Sequence, residues 1–429
     1  MPRLPFPEGF LWGSATSAHQ VEGNCDRNQW WQWEQGGLRA RPGGYVHDGS
    51  VSGIACDYYH RFDDDHRLAA ELGNRSLRIS IEWSRIEPEA NLFDAGAIDH
   101  YKRVCDSMLR HGLQPTITLH HFTNPVWAQR LGGWENPQMA DWLARFAARA
   151  VRELGERVRL WWTINEPTIA PILCYLFGVH PPCVRDLGRA VVVARNVLTA
   201  HAAMYRAIHE AATSTVQAGP VLQMPYFEPL DPEREADRLA SQASDRLANE
   251  YFLRGLAEGV VIPPVGAGEV IPGLAASYDV VGLNYYMRML CQGGADDVGL
   301  VGKRRPCEPD RFADEMGWEV YPEGMYLNLL RAAGLGKPLY VTENGMATLD
   351  DSARTAHLHA HLERLWRAIH DGADVRGYFY WSLMDNFEWA EGYSRHFGLV
   401  AIDRRTLVRT PRPTAAVYRD IAAANALVV

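Results

Sequence analysis

The stretch Leu160-Trp161-Trp162-Thr163-Ile164-Asn165-Glu166-Pro167 is an apolar run of strand length that stops at a carboxylate followed by a residue that breaks regular structure. Seven further runs of the same kind surround it, over residues 10–16, 76–83 and 115–121 before it and 216–224, 278–285, 338–342 and 377–383 after it. Stretches with helical periodicity alternate with them, over 59–72, 97–111, 137–154, 189–211, 231–256, 323–333 and 353–370, with a last one over 414–426. Eight strand-then-helix alternations predict an α/β fold, a parallel sheet closed into a (β/α)8 TIM barrel, with an open doubly wound sheet as the alternative. Linkers, low-complexity tracts and internal repeats are missing from the sequence, so residues 1–429 read as a single domain. A minimal barrel takes about 250 residues, and the excess of about 180 reads as long loops after strands, walling a deep pocket on the active face. The longest irregular segments, 30–56 and 287–318, both follow strands.

Composition narrows the function classes. Hydrophobic residues make up 47% and charged residues 22%, too apolar for a disordered chain, and no run of about 18 to 20 consecutive apolar residues offers a membrane span. The net charge is -9 and the arginines are interspersed with acids, so neither nucleic acid nor an anionic membrane is an expected partner. Small neutral molecules fit better, and self-association into a homo-oligomer is left open. Residues 1–13 lack the apolar core of a signal peptide, which points to a cytoplasmic location. The seven cysteines are odd in number, dispersed and without CxxC spacing, and read as reduced thiols.

Chemistry concentrates where strands end. Glu166 closes the run quoted above, and Glu343 closes Leu339-Tyr340-Val341-Thr342-Glu343-Asn344-Gly345. A carboxylate in such apolar surroundings is costly unless paired or functional. The fourth and seventh strands face each other across an eight-stranded barrel, so both carboxyl groups can address one substrate. That is the arrangement for breaking a glycosidic bond, one carboxylic acid protonating the leaving oxygen and one carboxylate attacking or activating water. The competing reading is a structural ion pair for each Glu. The neighbours weigh against it, because Gln20, His121, Asn165, Asn284 and the run Trp381 to Trp389 supply the amides, carboxylates and aromatic faces of a sugar site at or just beyond strand ends.

Six blocks carry a resemblance: Phe10-Leu-Trp-Gly-Ser-Ala-Thr-Ser-Ala-His-Gln-Val-Glu-Gly23, Arg78-Ile-Ser-Ile-Glu-Trp-Ser-Arg-Ile86, Thr163-Ile-Asn-Glu-Pro167, Gly282-Leu-Asn-Tyr-Tyr286, Val341-Thr-Glu-Asn-Gly345 and Asn386-Phe-Glu-Trp-Ala-Glu-Gly-Tyr393. In this order, across nearly the whole chain, they resemble the signature blocks of glycoside hydrolase family 1, the retaining β-glucosidases and β-galactosidases. The resemblance implies Glu166 as acid/base and Glu343 as nucleophile. Arg78 would orient Glu343 and hold it ionised, with Tyr286 hydrogen-bonded to it and Asn284 nearby. Asn165 would grip the sugar 2-hydroxyl, Gln20, His121, Glu388 and Trp389 the others, Trp381 would floor the ring, and Trp318 would line the entrance. It implies no cofactor and no metal, and as substrates small β-glycosides or β-linked disaccharides whose terminal β-D-glucosyl, galactosyl or fucosyl residue is released by double displacement. A retaining enzyme would hold its carboxyl groups about 5 to 5.5 Å apart. A transglycosylase would share every catalytic residue, and a non-catalytic sugar-binding relative would lack one of the two glutamates.

One position departs from the family pattern: Phe122 stands where the family usually has Trp, removing an indole N–H donor. Glu388, read as negatively charged, would repel a phosphate, which favours unphosphorylated sugars. His357, His359 and His361 are expected on an exposed outer helix rather than at a metal, and Asp63-Asp64-Asp65 at the solvated start of a helix.

Overall fold

In the computed structural model, which describes residues 3–36, 45–294, 303–305 and 312–428, all eight apolar runs become neighbouring parallel strands of one closed barrel. They are β1 (Leu11–Ala15), β2 (Ser76–Ser80), β3 (Gln114–His120), β4 (Leu160–Asn165), β5 (Gln217–Gln223), β6 (Val281–Asn284), β7 (Leu339–Asn344) and β8 (Val375–Trp381), with β8 pairing back to β1. The run in β4 is apolar throughout because both faces are covered. Leu160 and Trp162 join the cluster inside the barrel, while Trp161 and Ile164 join the larger cluster between barrel and helices. Outer helices include Ala95–Arg110, Met139–Leu154, Leu187–Ala211 and Asp351–His370. Several start on capping carboxylates, Asp94, Asp186 and Asp350, that accept backbone N–H groups of the first turn.

The expected helix over 231–256 begins only at Glu235, after Pro232, and runs to Glu258 through a wide π-helical turn at Arg246–Glu250. The expected last helix stops at Ala424, because Asn425 takes a left-handed conformation (φ 47°) and Ala426–Val428 turns back to pair with Arg3–Pro5. Asn425 accepts from Trp12 Nε1 at 2.9 Å and donates to Phe6 O at 3.0 Å, tying both chain ends to the underside of the barrel. The segment read as irregular after β6 contains a strand, Arg288–Gln292, beside Tyr226–Pro229 and Lys303–Arg305.

Two expectations about polar residues are corrected. His357 and His361 are buried, not exposed: their rings stack at 3.8 Å on the inner face of Asp351–His370, and His361 Nδ1 lies 2.8 Å from the His357 carbonyl. A spacing of four on a helix places both on one face, and that face turns inward. Asp65 is likewise buried, on the helix Tyr58–Glu71, because Arg409 clamps its two oxygens at 2.8 and 2.9 Å. Six cysteines are free thiols, and Cys307 lies outside the described residues. No described helix is long and apolar enough to cross a membrane.

Candidate active site

The C-terminal ends of the strands are not regular. Register shifts interrupt pairing between Trp162 and Asn165 in β4, Leu283 and Asn284 in β6, and Val341 and Asn344 in β7. Such irregularities re-aim side chains, and each falls at a residue singled out from the sequence. At Gly345, just past β7, a β-carbon would lie 1.8 Å from the Trp381 carbonyl oxygen, so only glycine lets the ends of β7 and β8 meet. Three non-glycine residues of the pocket wall, Phe122 (φ 71°), Glu166 (φ 46°) and Trp389 (φ 46°), occupy the left-handed region. That conformation persists only where the surroundings over-determine it, and it clusters at functional sites.

Glu343 is almost completely buried, and both its oxygens accept hydrogen bonds, Oε1 from Arg78 Nη1 at 2.5 Å and Oε2 from the Tyr286 hydroxyl at 2.7 Å. Arg78, also buried, spends its other donors on Thr118 Oγ1 at 3.0 Å and Asn165 Oδ1 at 2.6 Å. Asn284 Nδ2 donates to Glu166 Oε1 at 2.8 Å and to Asn165 Oδ1 at 3.2 Å, while its own Oδ1 accepts from Thr342 Oγ1 at 2.7 Å. The two glutamates are therefore joined through one side-chain network, Glu166–Asn284–Asn165–Arg78–Glu343. Burial first, and then the negative charge of Glu343, push Glu166 well above the ordinary carboxyl range, against the opposing hydrogen bond from Asn284. One carboxyl group is thus in an ion pair and the other favours its proton, the pairing of states needed for acid and nucleophile roles.

Around this pair lies a pocket whose empty space, counting the part open to solvent, is about 750 Å³. Of the residues expected there, all but Arg78, Asn284 and Gln20 line it. Gln20 is fully buried just behind the wall; it accepts from Ser17 Oγ at 2.7 Å and donates to Asn386 Oδ1 at 3.0 Å and Glu388 Oε2 at 3.2 Å. Because Arg78 occupies Asn165 Oδ1, the Nδ2 of Asn165 faces His121 Nε2 at 3.1 Å. Nε2 is then the acceptor and the His121 ring proton sits on Nδ1, which is buried without a hydrogen-bond partner. Burial, then the charge of Arg78, keep this imidazole neutral by pushing its pKa well down. Trp381 lies nearly parallel to His121 with centroids 6.2 Å apart, and Trp318 packs 5.3 Å from Tyr286.

The expectation of an anionic Glu388 is corrected. Burial, then the charge of Glu343, push it up to about 8 against the hydrogen bonds from Gln20 and Trp381, which favours the protonated form at neutral pH. The argument against a phosphorylated sugar rests instead on the pocket wall, which contains no Lys or Arg among the described residues. The sequence reading also missed Ile169, Leu173, His180, Gln223, Met316, Ala390, Glu391 and Phe397, which line the wall as well. Gln223 ends β5 and was within reach of the strand-end rule. Leu173 belongs to a π-helical stretch, Ala170–Leu176, that no local pattern announced. Among the described residues no group of His, Cys, Asp or Glu has the arrangement of a metal site.

A sequence model of the family described as "Glycosyl hydrolase family 1" matches residues 3–427. Beta-glucosidase A of Thermotoga maritima is 35% identical, covering 98% of this chain and 98% of its own. A 1,4-beta-D-glucan glucohydrolase of Thermotoga neapolitana is 36% identical over 94% of this chain and 99% of its own. Among solved structures, a beta-glycosidase from Pyrococcus horikoshii superposes with a TM-score of 0.91 at 39% identity, over 100% of this chain and 97% of its own. The Thermotoga maritima beta-glucosidase in complex with deoxynojirimycin also gives a TM-score of 0.91, at 33% identity over 99% of this chain and 100% of its own.

Proposed function

We propose, from the premise that the chain belongs to glycosyl hydrolase family 1, that it is a β-glucosidase that removes terminal β-D-glucosyl residues from small β-glycosides with retention of configuration. The observation that carries this reading is the unequal treatment of two carboxyl groups in one pocket: Glu343 is held by Arg78 and Tyr286, and Glu166 is driven toward its protonated form. In the first step the Glu343 carboxylate attacks the anomeric carbon while Glu166 gives its proton to the leaving oxygen, producing a glycosyl-enzyme ester. In the second step Glu166, now ionised, takes a proton from water as that water attacks the same carbon and releases Glu343. Asn165 donates to the 2-hydroxyl, His121, Glu388 and Trp389 hold the remaining hydroxyls over the floor formed by Trp381, and Gln20 braces Glu388 from behind the wall. A protonated Glu388 can both donate to and accept from a hydroxyl, which supports acceptance of galactosyl and fucosyl residues as well. Trp318 and the apolar side chains Ile169, Leu173 and Met316 line the wall where the leaving group sits. The chemistry needs no cofactor and no metal.

The test is an assay of the full chain on chromogenic β-glucoside, β-galactoside and β-fucoside. Glu343→Gly is expected to lower kcat on the order of 10^4-fold or more, the scale of removing a nucleophile. Azide should then give an α-glycosyl azide with Glu343→Gly and a β-glycosyl azide with Glu166→Ala. An inactive wild type, or full activity in Glu343→Gly, refutes the reading.

A further inference from the structure

Trp389 needs outside support, because its backbone sits at φ 46° and its indole forms part of the pocket wall. That support comes from the opposite end of the chain. The short turn Ala18–Val21 presents two neighbouring side chains to this wall, Gln20 toward Glu388 and His19 toward Trp389. The His19 ring lies flat against the indole, with 8° between the planes and centroids 5.5 Å apart, and Phe387 meets it edge-on at 6.0 Å. His19 is 1% exposed and is not part of the pocket lining.

The orientation of this imidazole is itself fixed. Asn28 caps a helix by accepting from Trp31 N through Oδ1 at 2.9 Å, so it is Nδ2 that faces His19 Nδ1 at 3.1 Å. Nδ1 is then the acceptor, and Nε2 faces Glu34 Oε2 across 3.5 Å without a hydrogen bond between them. The other oxygen of Glu34 accepts from Ser52 Oγ at 2.5 Å. Asn28, Glu34 and Ser52 are all buried and none of them reaches the pocket. Two segments of the long loop after β1 thus surround a ring that lies parallel to Trp389, whose indole also meets Trp30 at 4.7 Å and Phe122 at 5.0 Å, both in tilted contacts.

We propose that His19 is a positioning residue for sugar recognition: through its stacked face it holds Trp389, and with it the adjacent Glu388, where they discriminate the hydroxyls at the non-reducing end. This rests on the glycosidase reading above. It differs from ordinary core packing in what its loss does. A packing defect lowers turnover of every substrate alike, whereas a displaced Trp389 costs only the substrates whose hydroxyls it and Glu388 would engage.

The experiment compares kcat and KM of the full-length wild type, His19→Ala, His19→Leu and His19→Phe on 4-nitrophenyl β-D-glucoside and its 4-deoxy and 6-deoxy analogues. His19→Leu and His19→Phe are both apolar and bulky, and only Phe offers a flat face. His19→Ala and His19→Leu are expected to reduce kcat/KM for the glucoside about tenfold, the equivalent of one hydrogen bond, with little change for the deoxy analogues, so that discrimination narrows. His19→Phe is expected to stay within about twofold of the wild-type discrimination, as a retained stack requires. Equal losses on all three substrates, or identical behaviour of the Leu and Phe variants, overturn the proposal, and this pair decides the matter even if His19→Ala does not fold. A wild type inactive on every β-glycoside would instead bring down the glycosidase reading, and this proposal with it.

Discussion

Glu343 receives two hydrogen bonds, one from a guanidinium, while Glu166 receives one from a neutral amide and sits buried beside a negative neighbour. The location of the proton follows from that inequality. On the proposed mechanism, in which Glu166 acts first as an acid, kcat/KM is expected to fall as pH rises through its raised pKa. The hydrogen bond from Asn284 is the contact that pulls this value down, so Asn284→Ala should move the alkaline limb to higher pH while lowering the maximum rate. Glu166→Gln should abolish the limb altogether when the leaving group is acidic enough to depart without a proton. An alkaline limb in Asn284→Ala at or below the wild-type pH would contradict this account of Glu166.

At the scale of elements, the strand ends do the positioning. The rule that placed Glu166, Glu343 and Asn284 was simple: polar residues closing apolar runs. That rule could not see the register shifts in β4, β6 and β7, which arise from pairing with neighbouring strands. Nor could it see that Gly345 is a point of contact between two strands. A methyl group there meets the Trp381 carbonyl oxygen at 1.8 Å, and Trp381 belongs to the pocket wall. Gly345→Ala is therefore expected to destabilise the fold by roughly 1–3 kcal/mol, the usual range for overpacking, and to reduce activity by displacing Trp381. Thermal melting alongside the glucoside assay checks both, and an unchanged melting temperature with full activity would show that β7 and β8 can part without consequence.

For the whole molecule, function is held against stability. Glu388 has an ordinary carboxyl value of 4.5 and one of about 8 in the folded chain, pushed up chiefly by burial. Between those values the folded state binds more protons than the unfolded state, so this residue makes the protein less stable as pH rises from about 4.5 to about 8. Removing the charge removes the loss. Glu388→Gln is expected to melt above the wild type at pH above about 8, to match it near pH 4.5, and to bind sugar more weakly at both. Calorimetry at the two pH values decides it, and a variant less stable than the wild type at the higher pH would show that Glu388 is held there by contacts worth more than its burial.

The sequence by itself determined the eight strands, their order, and the residues that close them, because strand length, apolar character and terminating residues are local properties of the chain. It also placed Glu166 and Glu343 at the ends of the fourth and seventh strands, which closure of the sheet into a barrel then turns toward one pocket. What only the tertiary structure decided depends on residues far apart in sequence. Burial among distant groups raises the pKa of Glu166 and Glu388, where the sequence suggested a charge for the latter. The inward turn of an outer helix buried His357 and His361, which spacing alone had left on the surface. The apolar wall of Ile169, Leu173 and Met316, and the flat support of Trp389 by His19, exist only once the loops have packed over the barrel, and nothing in the local pattern of those segments encodes which neighbour they will meet.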